Sequence, residues 1–166
     1  LVIKVDTVIL YYYWRQYDRA IEQCKKALEM DDGFRLAHIC LGRVYEEKHM
    51  DKEAVDEALK ARSLHGDNTE TLDALRDAFA TGGLKGYFQE AAGLAKAEAK
   101  KGPVGEFSVA SVYAVLGRKD EAFAALDLAY QQKDVTLVTL NVDPRFTSLH
   151  SDIRFTTQVR RIGLYP

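Results

Sequence analysis

Residues 35–68 read RLAHICLGRVYEEKHMDKEAVDEALKARSLHGDN and contain two short amphipathic patterns joined by a turn. Apolar residues recur every three or four positions in each half, which is the spacing of one buried face of a helix. The stretch therefore predicts a hairpin of two helices, near residues 35–48 and 51–64.

Key positions of this hairpin recur at steps of 34 residues over four units, without insertion or deletion. One column is aromatic and two others are small in nearly every unit. The columns are Tyr11, Tyr45, Phe79 and Tyr113; Ala20, Ala54, Phe88 and Ala122; and Ala27, Ala61, Ala95 and Ala129. Alanines two helical turns apart let a neighbouring helix approach closely, and an aromatic ring fills the space that remains. Because one hairpin cannot bury its apolar face alone, the sequence predicts hairpins that stack on one another.

This pattern resembles the tetratricopeptide repeat, a helix–turn–helix unit of 34 residues. The second unit carries Leu41, Gly42 and Tyr45 at signature positions, whereas the third departs most, with Phe88 and the Gly82-Gly83 turn. The resemblance implies an all-α fold, a right-handed superhelix (α-solenoid) of about four repeats in one domain with a C-terminal helical cap. The expected repeats are 1–34, 35–68, 69–102 and 103–136, and the expected cap is 137–166.

The tail after the fourth repeat has a pattern of its own. Asp143-Pro144-Arg145-Phe146 is echoed nine residues later by Asp152-Ile153-Arg154-Phe155. Asp143 is expected to cap a short helical turn that begins at Pro144, and a final helix is expected near 152–162. Residues 135–141 fit either a helical turn or an extended segment.

The tail is similar to the C-terminal end of a group of bacterial tetratricopeptide modules. In that group the module follows a signalling domain, such as a winged-helix transcription regulator or a serine/threonine kinase. The resemblance implies that this chain is the C-terminal sensory or interaction module of a bacterial signalling protein. Since the chain begins with Leu inside an apolar pattern, we expect a fragment of a longer protein or a processed chain.

Residues 1–14 are apolar nearly all round, as expected of a helix that is buried on both sides. Because end repeats usually expose a polar outer face, we expect this face to meet a missing helix, a partner or a second copy. A strand remains an alternative, since Val, Ile and Tyr favour strands.

The first helices of tetratricopeptide arrays line a concave groove, and this resemblance assigns the expected partner-binding residues. They are Val5, Ile9, Tyr12, Leu36, Ile39, Arg43, Glu46, Glu70, Asp73, Asp77 and Phe107. The groove passes from apolar to acidic, so an extended or helical segment with apolar anchors and Lys or Arg is complementary. We therefore expect a scaffold for protein–protein interaction. Homodimerisation through the N-terminal helix and a small-molecule sensor are the alternatives.

Composition and motifs argue against several other functions. The net charge of −2 gives no basic field for nucleic acid, and the apolar run 8–14 is far shorter than the roughly 20 residues of a membrane span. The four histidines are scattered, the two cysteines are expected to fill the core, and no catalytic motif is present. We expect no enzyme, metal or cofactor, and a cytoplasmic location, or a periplasmic one if a membrane span precedes the chain.

Overall fold

The computed structural model describes residues 9–99 and 105–164, and every regular element in these ranges is helical. The α-helices are α1 (residues 9–13 of the described part), α2 (Tyr17–Met30), α3 (Arg35–Glu47), α4 (Asp51–His65), α5 (Thr69–Ala99), α6 (Glu106–Val115), α7 (Lys119–Gln131) and α8 (Ile153–Arg161). Two 3-10 helices, Val135–Thr139 and Pro144–Leu149, lie between α7 and α8. The all-α prediction is confirmed, and the strand alternative fails for residues 9–13. The rest of the first predicted helix lies outside the described residues.

Side-chain caps begin several of the helical elements, and the predicted cap at Asp143 is among them. Asn68 Oδ1 accepts a 2.9 Å hydrogen bond from the Thr71 N–H at the start of α5. Asp143 caps the second 3-10 helix, which has Pro144 in its first turn, and Asp152 caps α8. Asp134 caps the first 3-10 helix, so residues 135–139 form a helical turn and the extended alternative is excluded.

One backbone turn recurs at the 34-residue step. Arg15, His49, Gly83 and Gly117 all have positive φ, at 58°, 56°, 60° and 71°. In three of these turns the N–H of the next residue bonds to the carbonyl of the repeated tyrosine; the pairs are Gln16 with Tyr11, Met50 with Tyr45, and Arg118 with Tyr113. A hydrogen bond from the residue after a left-handed residue to the carbonyl five residues before the donor is the Schellman ending of a helix. The helices that precede Arg15, His49 and Gly117 therefore end in the same way, whereas Gly83 has a different backbone conformation.

The third hairpin turns more tightly than the others. Gly83 has φ 60° and ψ −157°, which divides α5 into a first half (residues 69–82) and a second half (residues 84–99). A Cβ on Gly86 would lie 2.3 Å from the carbonyl oxygen of Ala78, so the two halves approach at a glycine contact. The predicted break at Gly82-Gly83 is confirmed.

The chain divides into two compact units, Leu1–Tyr87 and Phe88–Pro166. In the first unit α2 packs on α3, and α3 packs on α4. The fully buried side chains there include Tyr12, Ala20, Cys24 and Val44, while Tyr45 is 8% exposed. In the core of this unit, the repeated small side chains of α2 and α4 therefore pack with large side chains of α1 and α3.

In the second unit α6 packs on α7, and the tail covers both helices. Ala122, Leu126 and Ala129 of α7 are fully buried. The tail side chains Phe146, Leu149, Phe155 and Val159 are buried in the same core cluster, and Ile162 packs against it while partly buried. The tail therefore contributes to the same core as α6 and α7.

Candidate interaction surfaces

Four predicted groove residues lie along one stripe of α3. Leu36, Ile39, Arg43 and Glu46 follow the three- and four-residue steps of one helix face. Leu36 is 50% exposed, and the other three are half-buried. The opposite face of α3 is committed to the core, since its side chains are buried; they are Ala37, Cys40, Leu41, Val44 and Tyr45. The solvent face of α3 therefore begins with an apolar pair and ends with charged groups.

A second predicted stripe lies on the first half of α5. Glu70, Asp73 and Asp77 are all exposed and follow helical spacing on one face. Asp73 forms an ion pair with Arg76, one turn further along the helix. This face carries three carboxylates, and the charge of one of them, Asp73, is neutralised by Arg76.

Two other predicted groove residues, Tyr12 and Phe107, do not lie on an accessible surface. Tyr12 is fully buried in the core of the first unit, and Phe107 is 4% exposed, with its ring centroid 5.0 Å from that of Phe146. Neither ring can contact a partner in this conformation, so both are assigned to the core instead. Ile9 is half-buried in the same cluster as Tyr12, and Val5 lies outside the described residues.

A polar contact inside the first unit joins α4 to the turn before α3. The ring of His38 lies between two acceptors, with Nδ1 2.5 Å from Glu57 Oε2 and Nε2 2.9 Å from the carbonyl oxygen of Asp32. His38 is 7% exposed. Because buried polar atoms are stabilised only when they have partners, this contact fixes the start of α3 against α4.

Tyr87 brings a buried hydroxyl close to the charged end of α3. Burial raises the pKa of Tyr87 to about 12; the nearby Arg62 lowers it, whereas Glu46 and Asp67 raise it. Arg62 also forms a 2.6 Å ion pair with Asp67. Tyr87 therefore remains protonated at neutral pH.

Two buried cysteine thiols lie side by side in the first unit. Cys24 of α2 and Cys40 of α3 are 0% and 4% exposed and belong to the same core cluster. The Cys40 thiol, together with burial, raises the pKa of Cys24 well above its usual range, whereas the Cys24 thiol lowers the pKa of Cys40. A thiol held protonated in an apolar core is unreactive, so Cys24 fits the predicted role of core filling.

The second unit contains two equivalent clamps between α7 and α8. Arg154 Nη1 donates to Asp120 Oδ1 at 2.7 Å, and its guanidinium lies 4.3 Å from the ring centroid of Phe123. One heptad further on, Arg161 Nη1 donates to Asp127 Oδ1 at 2.7 Å and stacks 3.9 Å above the ring centroid of Tyr130. Each clamp therefore joins a carboxylate and an aromatic ring of α7 to one arginine of α8.

Local pairs orient the tail arginines as well. Arg154 donates from Nε and Nη2 to the two carboxylate oxygens of Asp152, at 3.0 and 2.8 Å. Hydrogen bonds from the Arg154 side chain and backbone lower the pKa of Asp152 to about 2. Arg145 bonds to Asp143 in the same manner. Each of these arginines therefore pairs with the aspartate two residues before it.

A pocket of about 250 Å³ lies beside these clamps, between α7 and α8. Gln158 lines it and donates from Nε2 to Asp127 Oδ1 at 2.6 Å. Gln158, Asp127 and Arg161 were not among the predicted site residues. The 34-residue step could have indicated two of them, because it relates Asp120 to Arg154 and Asp127 to Arg161.

Among residues 9–99 and 105–164, no group of three or more His, Cys, Asp or Glu side chains is arranged to hold a metal ion. No helix in those ranges has the length and apolar character needed to cross a membrane.

Comparison of the chain with protein-family models, with curated proteins and with solved structures found no match.

Proposed function

We propose that this chain is a helical-repeat binding module of the tetratricopeptide type, which holds a peptide or protein partner without chemical change. The observation that carries the proposal is the solvent face of α3. Leu36 is half exposed there beside Ile39, although the opposite face of the helix already supplies the core. Apolar side chains on a face that no packing requirement explains are typical of an interaction surface.

Two observations support the repeat architecture within this proposal. A residue with positive φ recurs at Arg15, His49, Gly83 and Gly117, one repeat length apart. The small columns are buried, with Ala20, Ala54 and Ala122 at 0%, 1% and 0% exposure. Equivalent hairpins that cannot each bury an apolar face are expected to stack into a right-handed solenoid.

The expected partner follows from the charges. Leu36 and Ile39 offer an apolar contact, and the exposed Glu70, Asp73 and Asp77 offer negative charge. A segment with an apolar anchor and with Lys or Arg is complementary to both stripes. We further propose, from the similarity of the tail to bacterial modules, that the parent protein has a signalling or transcription-regulatory role.

Selection from a displayed library of random peptides on the immobilised chain tests the binding function. We expect selected peptides to be enriched in Lys or Arg near an apolar residue. Leu36→Asp should weaken their binding at least tenfold, and Asp77→Lys should weaken it and reduce its salt dependence. Leu128→Asp is the matched control, because Leu128 is 44% exposed on α7 of the second unit. Unbiased peptides, or equal losses with Leu36→Asp and Leu128→Asp, would contradict the proposal.

A second candidate function is homodimerisation through the start of the chain. Leu10 and Trp14 are 44% and 62% exposed near the C-terminal end of α1, and the Trp14 ring has an edge-to-face contact with Tyr11, with 6.3 Å between the ring centroids. Light scattering distinguishes the two states. A dimer that becomes a monomer on Leu10→Asp with Trp14→Asp supports this function, and a monomeric parent chain excludes it.

A further inference from the structure

A buried acceptor lies at the pocket between α7 and α8 in the second unit. Gln158 is 6% exposed, and its Oε1 is buried without a hydrogen-bond partner among the described residues. Exchanging the positions of Oε1 and Nε2 would not provide a partner, because Nε2 donates to the Asp127 carboxylate, which can only accept hydrogen bonds. An unpaired buried carbonyl oxygen destabilises the folded state, so a donor that reaches it is stabilising.

Donors are available close to this acceptor. Arg161 uses Nη1 for Asp127, which leaves further N–H groups of its planar guanidinium for another acceptor. Arg154, whose guanidinium lines the same pocket, is committed to Asp120 and Asp152. The site thus offers two complementary groups. The Gln158 oxygen can accept a hydrogen bond from an N–H group, and the nearby Arg161 can donate one to a carbonyl oxygen.

The charges and the walls restrict the class of ligand. Each arginine is already paired with a carboxylate, so the pocket has no excess of positive charge to select an anion. Phe123 and Ile153 supply apolar wall, and Ile153 is 79% exposed. A volume of about 250 Å³ is below the roughly 300–1,000 Å³ of pockets for drug-sized ligands, and it suits one group of a larger molecule.

We propose that the pocket between α7 and α8 binds a neutral amide group, whose N–H donates to Gln158 Oε1 and whose C=O accepts from Arg161. An alkyl group next to the amide would rest on Phe123 and Ile153. The side chains of Arg154 and Arg161 are 44% and 40% exposed, so the pocket is accessible from solvent, and binding at the buried oxygen requires a local movement of the side chains around it. This site lies in the second unit and does not depend on the stripe of α3.

The amide could come from a polypeptide backbone or from an Asn or Gln side chain, and small probes distinguish the two. N-methylacetamide represents the backbone group, propionamide represents the side chain, and N,N-dimethylacetamide has no N–H. Titration of the ¹⁵N-labelled full chain should give saturable shifts at the Gln158 side-chain amide and at α8 with at least one N–H probe. The tertiary amide should bind at least fivefold more weakly. The tighter of the two N–H probes identifies the source.

Variants keep the test decisive. Gln158→Met removes the acceptor with little change of shape and should abolish the saturable shifts, whereas Gln132→Met on the exposed end of α7 should leave them unchanged. Unchanged circular dichroism of Gln158→Met would show that the fold is intact. Equal binding of the tertiary amide, retention of the shifts in Gln158→Met, or no saturable shift with either N–H probe would each overturn the proposal. The last outcome would leave a buried water as the partner of Oε1.

Discussion

The guanidinium of Arg154 donates a 2.7 Å hydrogen bond to the carboxylate of Asp120, which lies 34 residues earlier in the chain. The same step joins Arg161 to Asp127, and Ser148 Oγ to the carbonyl oxygen of Ala114. Three contacts between the tail and the helices α6 and α7 therefore share one register, a separation of 34 residues.

The first prediction concerns this register. Asp120→Asn and Arg154→Gln should each lower the free energy of unfolding, and the double variant should lose less than the sum of the two. The coupling should shrink in high salt, because both side chains are exposed to solvent. Urea unfolding at low and high salt measures it. Arg160→Gln, an exposed neighbour on α8, is the control, and a coupling of zero at low salt would count against the register.

The second prediction exchanges residues between equivalent turns. His49 has φ 56° at the position where the fourth repeat has Gly117, with φ 71°. A left-handed residue other than glycine is strained, so His49→Gly should stabilise the chain by about 0.5–1 kcal/mol. Gly117→Ala should cost about 1–2 kcal/mol for the same reason. Thermal or urea unfolding checks both, and effects of the same sign would show that the turns are not equivalent.

The third prediction concerns the glycine contact within α5. A methyl group on Gly86 would lie 2.3 Å from the Ala78 carbonyl oxygen, whereas one on Gly93 would meet nothing within 4 Å. Gly86→Ala should therefore destabilise the chain by about 2 kcal/mol or more. Gly93→Ala, in the same helical segment, should stabilise it by about 1 kcal/mol through helix propensity. A neutral Gly86→Ala would mean that the two halves of α5 do not approach in solution.

The fourth prediction concerns alkaline pH. The pKa of Tyr87 is about 12 in the folded chain and about 10 when unfolded, so above pH 10 the unfolded state releases this proton first. Stability should fall as the pH rises from about 10 toward 12. Tyr87→Phe should flatten this fall, with a remainder from Tyr17 and Tyr45, whose pKa values burial also raises. Urea unfolding across this range gives the two slopes, and identical slopes would exclude a buried Tyr87 hydroxyl.

Much of the secondary structure was predictable because it depends on local patterns. The helices near 35–48 and 51–64 are observed as Arg35–Glu47 and Asp51–His65. Caps such as Asn68 and Asp143, and the break at Gly83, also lie within the segments that they control. Apolar spacing and capping chemistry act over a few residues, so one sequence is sufficient to read them.

The candidate sites depend on longer-range packing and were less predictable. Residues 11–14 are all aromatic, so the apolar spacing does not show which ring is buried. The 34-residue step predicts Tyr11, but Tyr12 is the fully buried ring. Phe107 was expected in the groove, yet Phe146 of the tail packs against it. The Gln158 pocket requires α8 to dock on α7, and that docking depends on pairs 31–34 residues apart. Local spacing does not report such pairs.

The proposed repeat architecture requires four helical hairpins at a spacing of 34 residues. Backbone NMR at their turns tests this requirement most directly. Chemical shifts and HN–Hα couplings of the intact chain report the sign of φ at Arg15, His49, Gly83 and Gly117. We predict positive φ at all four positions, and non-helical backbone at Gln16, Met50 and Arg118, which directly precede α2, α4 and α7. Right-handed helical φ at Arg15 and His49, as in helices that run through these positions, would contradict the account.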